Sequence, residues 1–352
     1  MLEITSTRHN PLIDPQLAVW SWEIPLYLFL GGIVAGMMVL GGLALLRLAR
    51  GDDSRTFFSM HTPLLGFVLM NIGMLALLLD LTHRLYVWRV YTTFQVTSPM
   101  AWGSWLLLVV YGVLLVSALI RLPEAWPWMG RAVPRLSTLS QRILSRPLWL
   151  RALGASNLVL GVGLGIYTGI LLNTMVARPL WNSAILGPLF LVSGLSAGVA
   201  VMHIAATLLQ GRAPAQGMVG GAFSALLQPL GPQHPDKQTA ASLVRYDQGF
   251  LVAELVFIGL LLLNLQTSSA AHAAAAALIT SGPYALAFWV GVVGLGVVLP
   301  LVWQGLELAH KVAHTALPAL GVLAGGFTLR WVMVKAGQMN EITPALALAL
   351  GP

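Results

Sequence analysis

The sequence predicts an all-α membrane protein, with eight transmembrane helices forming two tandem four-helix bundles and both termini extracytoplasmic. Three observations carry this. Of 352 residues, 57% are hydrophobic and only 9% charged, and the mean hydropathy is +0.80, too little polar surface for a water-soluble globule. Eight apolar runs are long enough to span a bilayer core, which takes about 20 residues at about 1.5 Å rise each. The connections alternate between rich and poor in Lys and Arg, which sets an orientation.

The spans are expected at 24–47, 62–82, 100–121, 150–174, 184–209, 245–266, 283–304 and 312–335. The N-terminal segment 1–23 is expected to be extracytoplasmic; it holds no basic region ahead of the first apolar run, 24–47, which is long enough to span and so reads as a retained helix and not a cleaved signal. Thirteen of the 19 Lys and Arg residues lie on the connections after spans one, three, five and seven, among them Arg47, Arg121, Arg142 and Arg212. The other side holds Arg8, Arg84, Arg89, Arg178, Arg330 and Lys335. The rich side is therefore cytoplasmic. The net charge of +7 follows from this topology and calls for no nucleic-acid partner. Without cysteine the chain has no thiolate for an iron-sulfur cluster, so a cluster would belong to a partner.

The two longest connections are both cytoplasmic. Residues 122–149 are basic and proline-punctuated, as in a segment lying on anionic lipid. Residues 210–244 are Gly- and Pro-rich, an irregular loop with one amphipathic turn. The tract SSAAHAAAAAL before the seventh span reads as an extracytoplasmic helical linker.

An internal repeat supports the tandem arrangement. PLYLFLGGIVAG from Pro25 matches PLFLVSGLSAG from Pro188; LLLDL ending at Leu81 matches LLLNL ending at Leu265; Pro99 precedes Trp105 by six residues, as Pro283 precedes Trp289. The bundles are expected at 24–176 and 177–335, with a tail at 336–352. The copies differ at one telling place: Asp80 becomes Asn264, and His83-Arg84 has no counterpart. A functional site therefore belongs to the first bundle. Gly31, Gly32, Ala35 and Gly36 read as packing residues that bring helices close.

The stretch Leu77 to Trp105, LLLDLTHRLYVWRVYTTFQVTSPMAWGSW, gathers Asp80, His83, Arg84 and Arg89 with aromatics at the mouth between two spans. Ionisable groups at a membrane helix end are costly unless paired or used, and a headgroup belt explains the aromatics but not an Asp-x-x-His-Arg cluster.

These residues resemble a family, the NrfD or polysulfide-reductase type of membrane subunit. The resemblance rests on WSWEIPLYLFLGGIVAG from Trp20, on LLLDLTHRLYVWRVYTTF, on SPMAWGSW from Ser98, and on GIYTGILL from Gly165. It implies a multi-pass subunit of a bacterial or archaeal cytoplasmic membrane, carrying no haem, cluster or metal of its own. It also implies an extracytoplasmic iron-sulfur subunit and a catalytic subunit, of molybdopterin type, as partners, and exchange of electrons with menaquinone or ubiquinone near the extracytoplasmic face. Where many relatives read Asp-Leu-Gly-Arg-Pro, this chain reads Asp80-Leu81-Thr82-His83-Arg84.

Quinone reduction takes up two electrons and two protons, so a site needs a proton source, hydrogen-bond partners for two carbonyls and an apolar slot. Asp80 and His83 are the expected proton-exchanging groups. Arg84 is expected to hold Asp80 or stabilise an oxyanion. Tyr167 resembles a tyrosine that the family uses at its quinone, Asn173 lies at a similar depth, and Tyr27 and Trp102 are candidate walls.

A second group, His61, Asn71, His203, Asp247, Glu254, Glu307, His310 and His314, falls towards the cytoplasmic half. It fits either a proton half-channel, or a bland reading in which Asp247, Glu307 and His310 are solvated and His203 is a core residue. Three alternatives stay open: a quinone-free proton-coupling member of the family, a haem-b membrane anchor and a transporter.

Overall fold

The computed structural model describes residues 20–51, 57–209, 237–312 and 315–339. His314 and the core of the 210–244 connection lie outside the described residues. The elements are α1 (Glu23–Leu48), α2 (Phe57–Asp80), a 3₁₀ turn (Arg84–Tyr86), α3 (Arg89–Thr92), α4 (Pro99–Ala125), α5 (Pro127–Ala132), α6 (Pro134–Leu144), α7 (Pro147–Asn173), α8 (Leu186–Leu209), α9 (Lys237–Ser268), α10 (Ala270–Thr280), a π-helical run (Ala287–Val298), α11 (Leu299–Leu308) and α12 (Leu317–Met339). Among the described residues, eight helices are long and apolar enough to cross a membrane, the π-helical run counting as one span with α11, and no strand occurs. Each matches an expected span to within a few residues.

Helix ends follow the local chemistry. The Ser98 hydroxyl accepts from the Ala101 amide, and Pro99 fills the first helical position, where a missing N–H costs nothing. Ser269 caps α10, so the alanine-rich tract is helical as expected. The basic 122–149 connection folds as two short helices, α5 and α6, tied back to α4 by a hydrogen bond from Ser140 Oγ to the Ile120 carbonyl at 2.7 Å.

The first helix is the hub. It packs along α2, α7 and α8 and also touches α12. About four-fifths (78%) of its apolar stretch is enclosed by protein, against 28–56% in the other seven spans. Because lipid tails are as apolar as the side chains, close van der Waals packing must hold membrane helices together, and small residues allow it. At the α1–α8 crossing a Cβ on Gly36 would lie 2.4 Å from the Gly194 carbonyl oxygen, and one on Gly194 would lie 2.6 Å from that of Gly32. These glycines come from the matching stretches that begin at Pro25 and Pro188, so the two copies of that motif meet backbone to backbone.

Within the first four spans, contacts run α1–α2, α2–α4, α4–α7 and α7–α1. Within the last four, α8 contacts α9 and α12, α9 contacts α11, and α12 lies against the π-helical run. There a Cβ on Gly325 would sit 2.1 Å from the Gly296 Cα, another crossing without side chains.

Candidate functional site

Asp80 ends α2, where the helix dipole disfavours a carboxylate, so neither capping nor dipole explains its presence. The chain then turns through the 3₁₀ segment and α3 and re-enters the membrane region at α4. Beneath this connection lies a cavity of about 390 Å³, walled by α1, α2, α3, α4 and α7. Leu, Ile, Val and Met side chains supply most of its lining, and Trp20, Tyr27, Asp80, Tyr91, Ser104 and Tyr167 bring the side-chain polar atoms. Asp80 is the carboxylate among them.

Tyr167 reaches the cavity from α7, and its hydroxyl donates to the Pro99 carbonyl at 3.0 Å. Room for its ring comes from Gly103, where a Cβ would fall 1.6 Å from the Tyr167 oxygen. The Ser104 hydroxyl is taken up by the Ala101 carbonyl of its own helix at 2.8 Å. Tyr27 is buried on α1.

The structure thus brings Asp80, Tyr27 and Tyr167 around one space. It does not bring the other four candidates to the lining. Arg84 donates to the Leu79 carbonyl at 2.7 Å, closing the end of α2 where a hold on Asp80 was expected. His83 is exposed in the turn, its ring against Tyr86. Trp102 faces outwards, 54% exposed, with its indole N–H on the Val96 carbonyl and its ring against Phe94. Asn173 is half-buried at the last turn of α7, next to the lining residues Leu171 and Leu172. Trp20, Tyr91 and Gly103 are site residues that lie within the family motifs but whose sequence context assigns them no role. Asn264, which the sequence repeat matches to Asp80, donates to the Ser183 hydroxyl at 3.0 Å.

The second polar group divides. Asp247 is 2% exposed, which corrects the solvated reading, and accepts from Ser196 and, at 2.6 Å, from Gln304 Nε2. Glu254, also buried, shares the Ser193 hydroxyl with Arg330, whose guanidinium further donates to the Phe190 and Gly326 carbonyls at 3.0 Å each. Between Asp247 and the end of α11 is a small void of about 10 Å³, lined also by His203, Gln304, Glu307 and Thr315. That is about the space of one water. His310 is exposed, as expected. Asn71 faces outwards and accepts a hydrogen bond from the Tyr111 hydroxyl across α2 and α4, apart from the group.

Comparison with known proteins bears on the whole chain. The family model described as "Polysulphide reductase, NrfD" matches residues 10–342. The chain is similar to a component of the polysulfide reductase of Wolinella succinogenes, 31% identical over 336 residues that make up 91% of this chain and 94% of that protein. It is similar to protein NrfD of Escherichia coli, 31% identical over 330 residues, 92% of this chain and 96% of the relative. A selenate reductase subunit of Mesobacillus selenatarsenatis is 22% identical over 334 residues, 90% of this chain and 73% of the relative. With eight membrane-length helices and a family match over nearly its full length, the chain is a multi-pass integral membrane protein that belongs to the polysulphide reductase NrfD family.

Proposed function

We propose that the chain is the membrane subunit of a multisubunit respiratory reductase, exchanging electrons between a partner's iron-sulfur cluster and a membrane quinone held in the Asp80 cavity. The observation that carries this reading is the cavity: about 390 Å³, apolar along its walls, with one carboxylate and three phenols entering it. Small-molecule sites are built this way, at about 300–1,000 Å³ with a few placed polar groups. Two relatives named as components of polysulfide and selenate reductases support a reductase complex with a catalytic subunit. The distribution of Lys and Arg supports a mouth on the extracytoplasmic face of a bacterial or archaeal cytoplasmic membrane, and partners on that side.

Quinone supplies the two-electron, two-proton chemistry when bound. The protein's part is to hold the ring and handle protons. Asp80 gives or takes a proton at its carboxylate, and His83, exposed in the turn beyond, passes it to water. The Tyr167 hydroxyl, now on the Pro99 carbonyl, turns to a ring oxygen, with Tyr27 and Tyr91 near enough in the same lining to serve the other. The aliphatic wall from α1, α2 and α4 takes the isoprenoid tail and keeps water out.

Binding of a quinone analogue to the purified protein tests this. Wild type is expected to bind, and Tyr167→Phe to weaken binding about 3- to 10-fold, the usual worth of one neutral hydrogen bond. Gly103→Ala should weaken it at least as much, because its methyl takes the place of the Tyr167 oxygen. No binding by wild type would return these residues to a proton relay or docking surface, and favour the quinone-free member of the family.

Proton translocation is a second element of the proposal. The buried series Glu254–Ser193–Arg330, Asp247 with Ser196 and Gln304, and the one-water void towards Glu307 supports it. Asp247→Asn keeps the shape and removes the carboxylate. The expected result is quinone-linked turnover without charge movement across proteoliposomes; charge movement at the wild-type ratio would remove Asp247 from the route.

A further inference from the structure

Trp20 lines the cavity, and among the described residues its hydrogen bonds and its ring partner come from outside the spans that form the cavity's walls. Its backbone amide donates to Gln338 Oε1 at 2.8 Å, and its carbonyl accepts from Gln338 Nε2 at 3.0 Å and from Lys335 Nζ at 2.9 Å. Gln338 is itself fixed, since Arg178 donates to its backbone carbonyl at 2.9 Å. The Trp20 ring lies 5.3 Å from that of Trp181, which is anchored through its indole N–H to the Met333 carbonyl at 2.7 Å. The Trp181 ring fits there because residue 337 is glycine, where a Cβ would lie 2.0 Å from the indole nitrogen. Lys335, Gln338, Gly337 and Met333 are all on α12, and Arg178 and Trp181 come from the α7–α8 connection.

A primary carboxamide that both donates to and accepts from one residue's backbone fixes that residue's position and its rotation. Lys335 adds a charged donor to the same carbonyl, stronger than a neutral one. Such a clamp is more than chain anchoring requires. It sets the angle at which the Trp20 indole meets the cavity, and a wall residue misplaced by even an ångström disturbs a bound ring.

We propose that Gln338 and Lys335 are positioning residues for the quinone cavity: from the last helix they clamp the backbone of Trp20, whose indole forms a wall of the site. The inference rests on the quinone reading of the cavity. It assigns the second half of the chain a direct part in a site that the ionisable residues place in the first half.

The test is a double-mutant cycle on the full chain, reading affinity for a quinone analogue, with the steady-state KM and kcat for quinol measured in the assembled complex. Gln338→Leu removes both carboxamide bonds at similar volume, and Trp20→Ala removes the indole while leaving the backbone for the clamp. Each is expected to weaken analogue binding about tenfold, and the double variant to be no weaker than Trp20→Ala alone, as coupled residues behave. Gln338→Leu should raise KM and leave kcat near wild type. Gln338→Glu, which keeps the acceptor for the Trp20 amide, should fall between. Additive losses, or Gln338→Leu with wild-type affinity, would overturn the clamp. Failure of wild type itself to bind the analogue would instead end the quinone reading, so the two failures are distinguishable. If Gln338→Leu does not accumulate, Lys335→Met and Gln338→Glu make the same comparison.

Discussion

Asp80→Asn is expected to abolish quinone-linked turnover, lowering it at least about 100-fold, while the protein inserts and assembles as wild type. The carboxylate lies at a helix end where the dipole opposes it, and it is the acid among the cavity-lining residues. Asparagine keeps its size and hydrogen-bonding reach and loses its capacity to exchange a proton. At the position that the sequence repeat matches to Asp80 stands Asn264, whose amide donates from α9 to Ser183 of the α7–α8 connection. Turnover by the assembled complex with quinol, scaled to the amount of complex recovered from the membrane, checks the prediction. Activity at the wild-type level in Asp80→Asn would sink the assignment.

Arg330→Met should be the most destabilising of these single substitutions, costing about 3–5 kcal/mol, because it strips the partner from a buried charge. Arg330 is 1% exposed, and each of its terminal nitrogens is engaged, by Ser193 and Gly326 on one side and Phe190 on the other. Its charge faces Glu254, itself buried on α9. Methionine fills much of the space but leaves the Glu254 carboxylate and two carbonyls without a cation. The expected readout is a large drop in thermal midpoint in detergent, with more than half recovered by adding Glu254→Gln, which removes the stranded charge. A double variant no more stable than Arg330→Met would mean that the guanidinium acts through its hydroxyl and carbonyl contacts and not through its charge opposite Glu254.

What sequence reveals about such a chain depends on which physical signal a residue carries. The spans were legible because length and hydrophobicity are properties of segments. Asp80 was legible because a carboxylate at a membrane helix end is conspicuous whatever its surroundings. Direction around a helix was not legible. Trp102 was expected as a wall, but adjacent residues are about 100° apart around an α-helix, and here Gly103, Ser104 and Leu107 take the cavity face while Trp102 and Trp105 point away. In a soluble helix the polar face would settle that rotation; α4 is apolar all round, so its sequence has no such marker. That His83 and Arg84 stand off the lining was not legible for another reason: they lie beyond the end of α2, where helical periodicity no longer predicts position. Gly103 was unreadable because its part in the site is the space it leaves, and Trp20 because its clamp comes from residues more than 300 positions away.

The central place of α1 has a consequence for how the molecule is made. The helix enclosed most completely is the one that precedes all the others along the chain, and its neighbours α2, α7, α8 and α12 are supplied at intervals up to the last span. At about 5–20 residues per second, the roughly 290 residues from the end of α1 to the end of α12 take about 15–60 s to synthesise. For about the first half of that time the bare backbone around Gly32 and Gly36 meets lipid or the insertion machinery, because the Gly194 and Gly198 that will cover it lie on α8 and have not yet arrived. Insertion and folding are therefore separate events for this protein: the first helix can enter the membrane early, but its surroundings, and with them the Trp20 wall of the cavity, are complete only once α12 has been made.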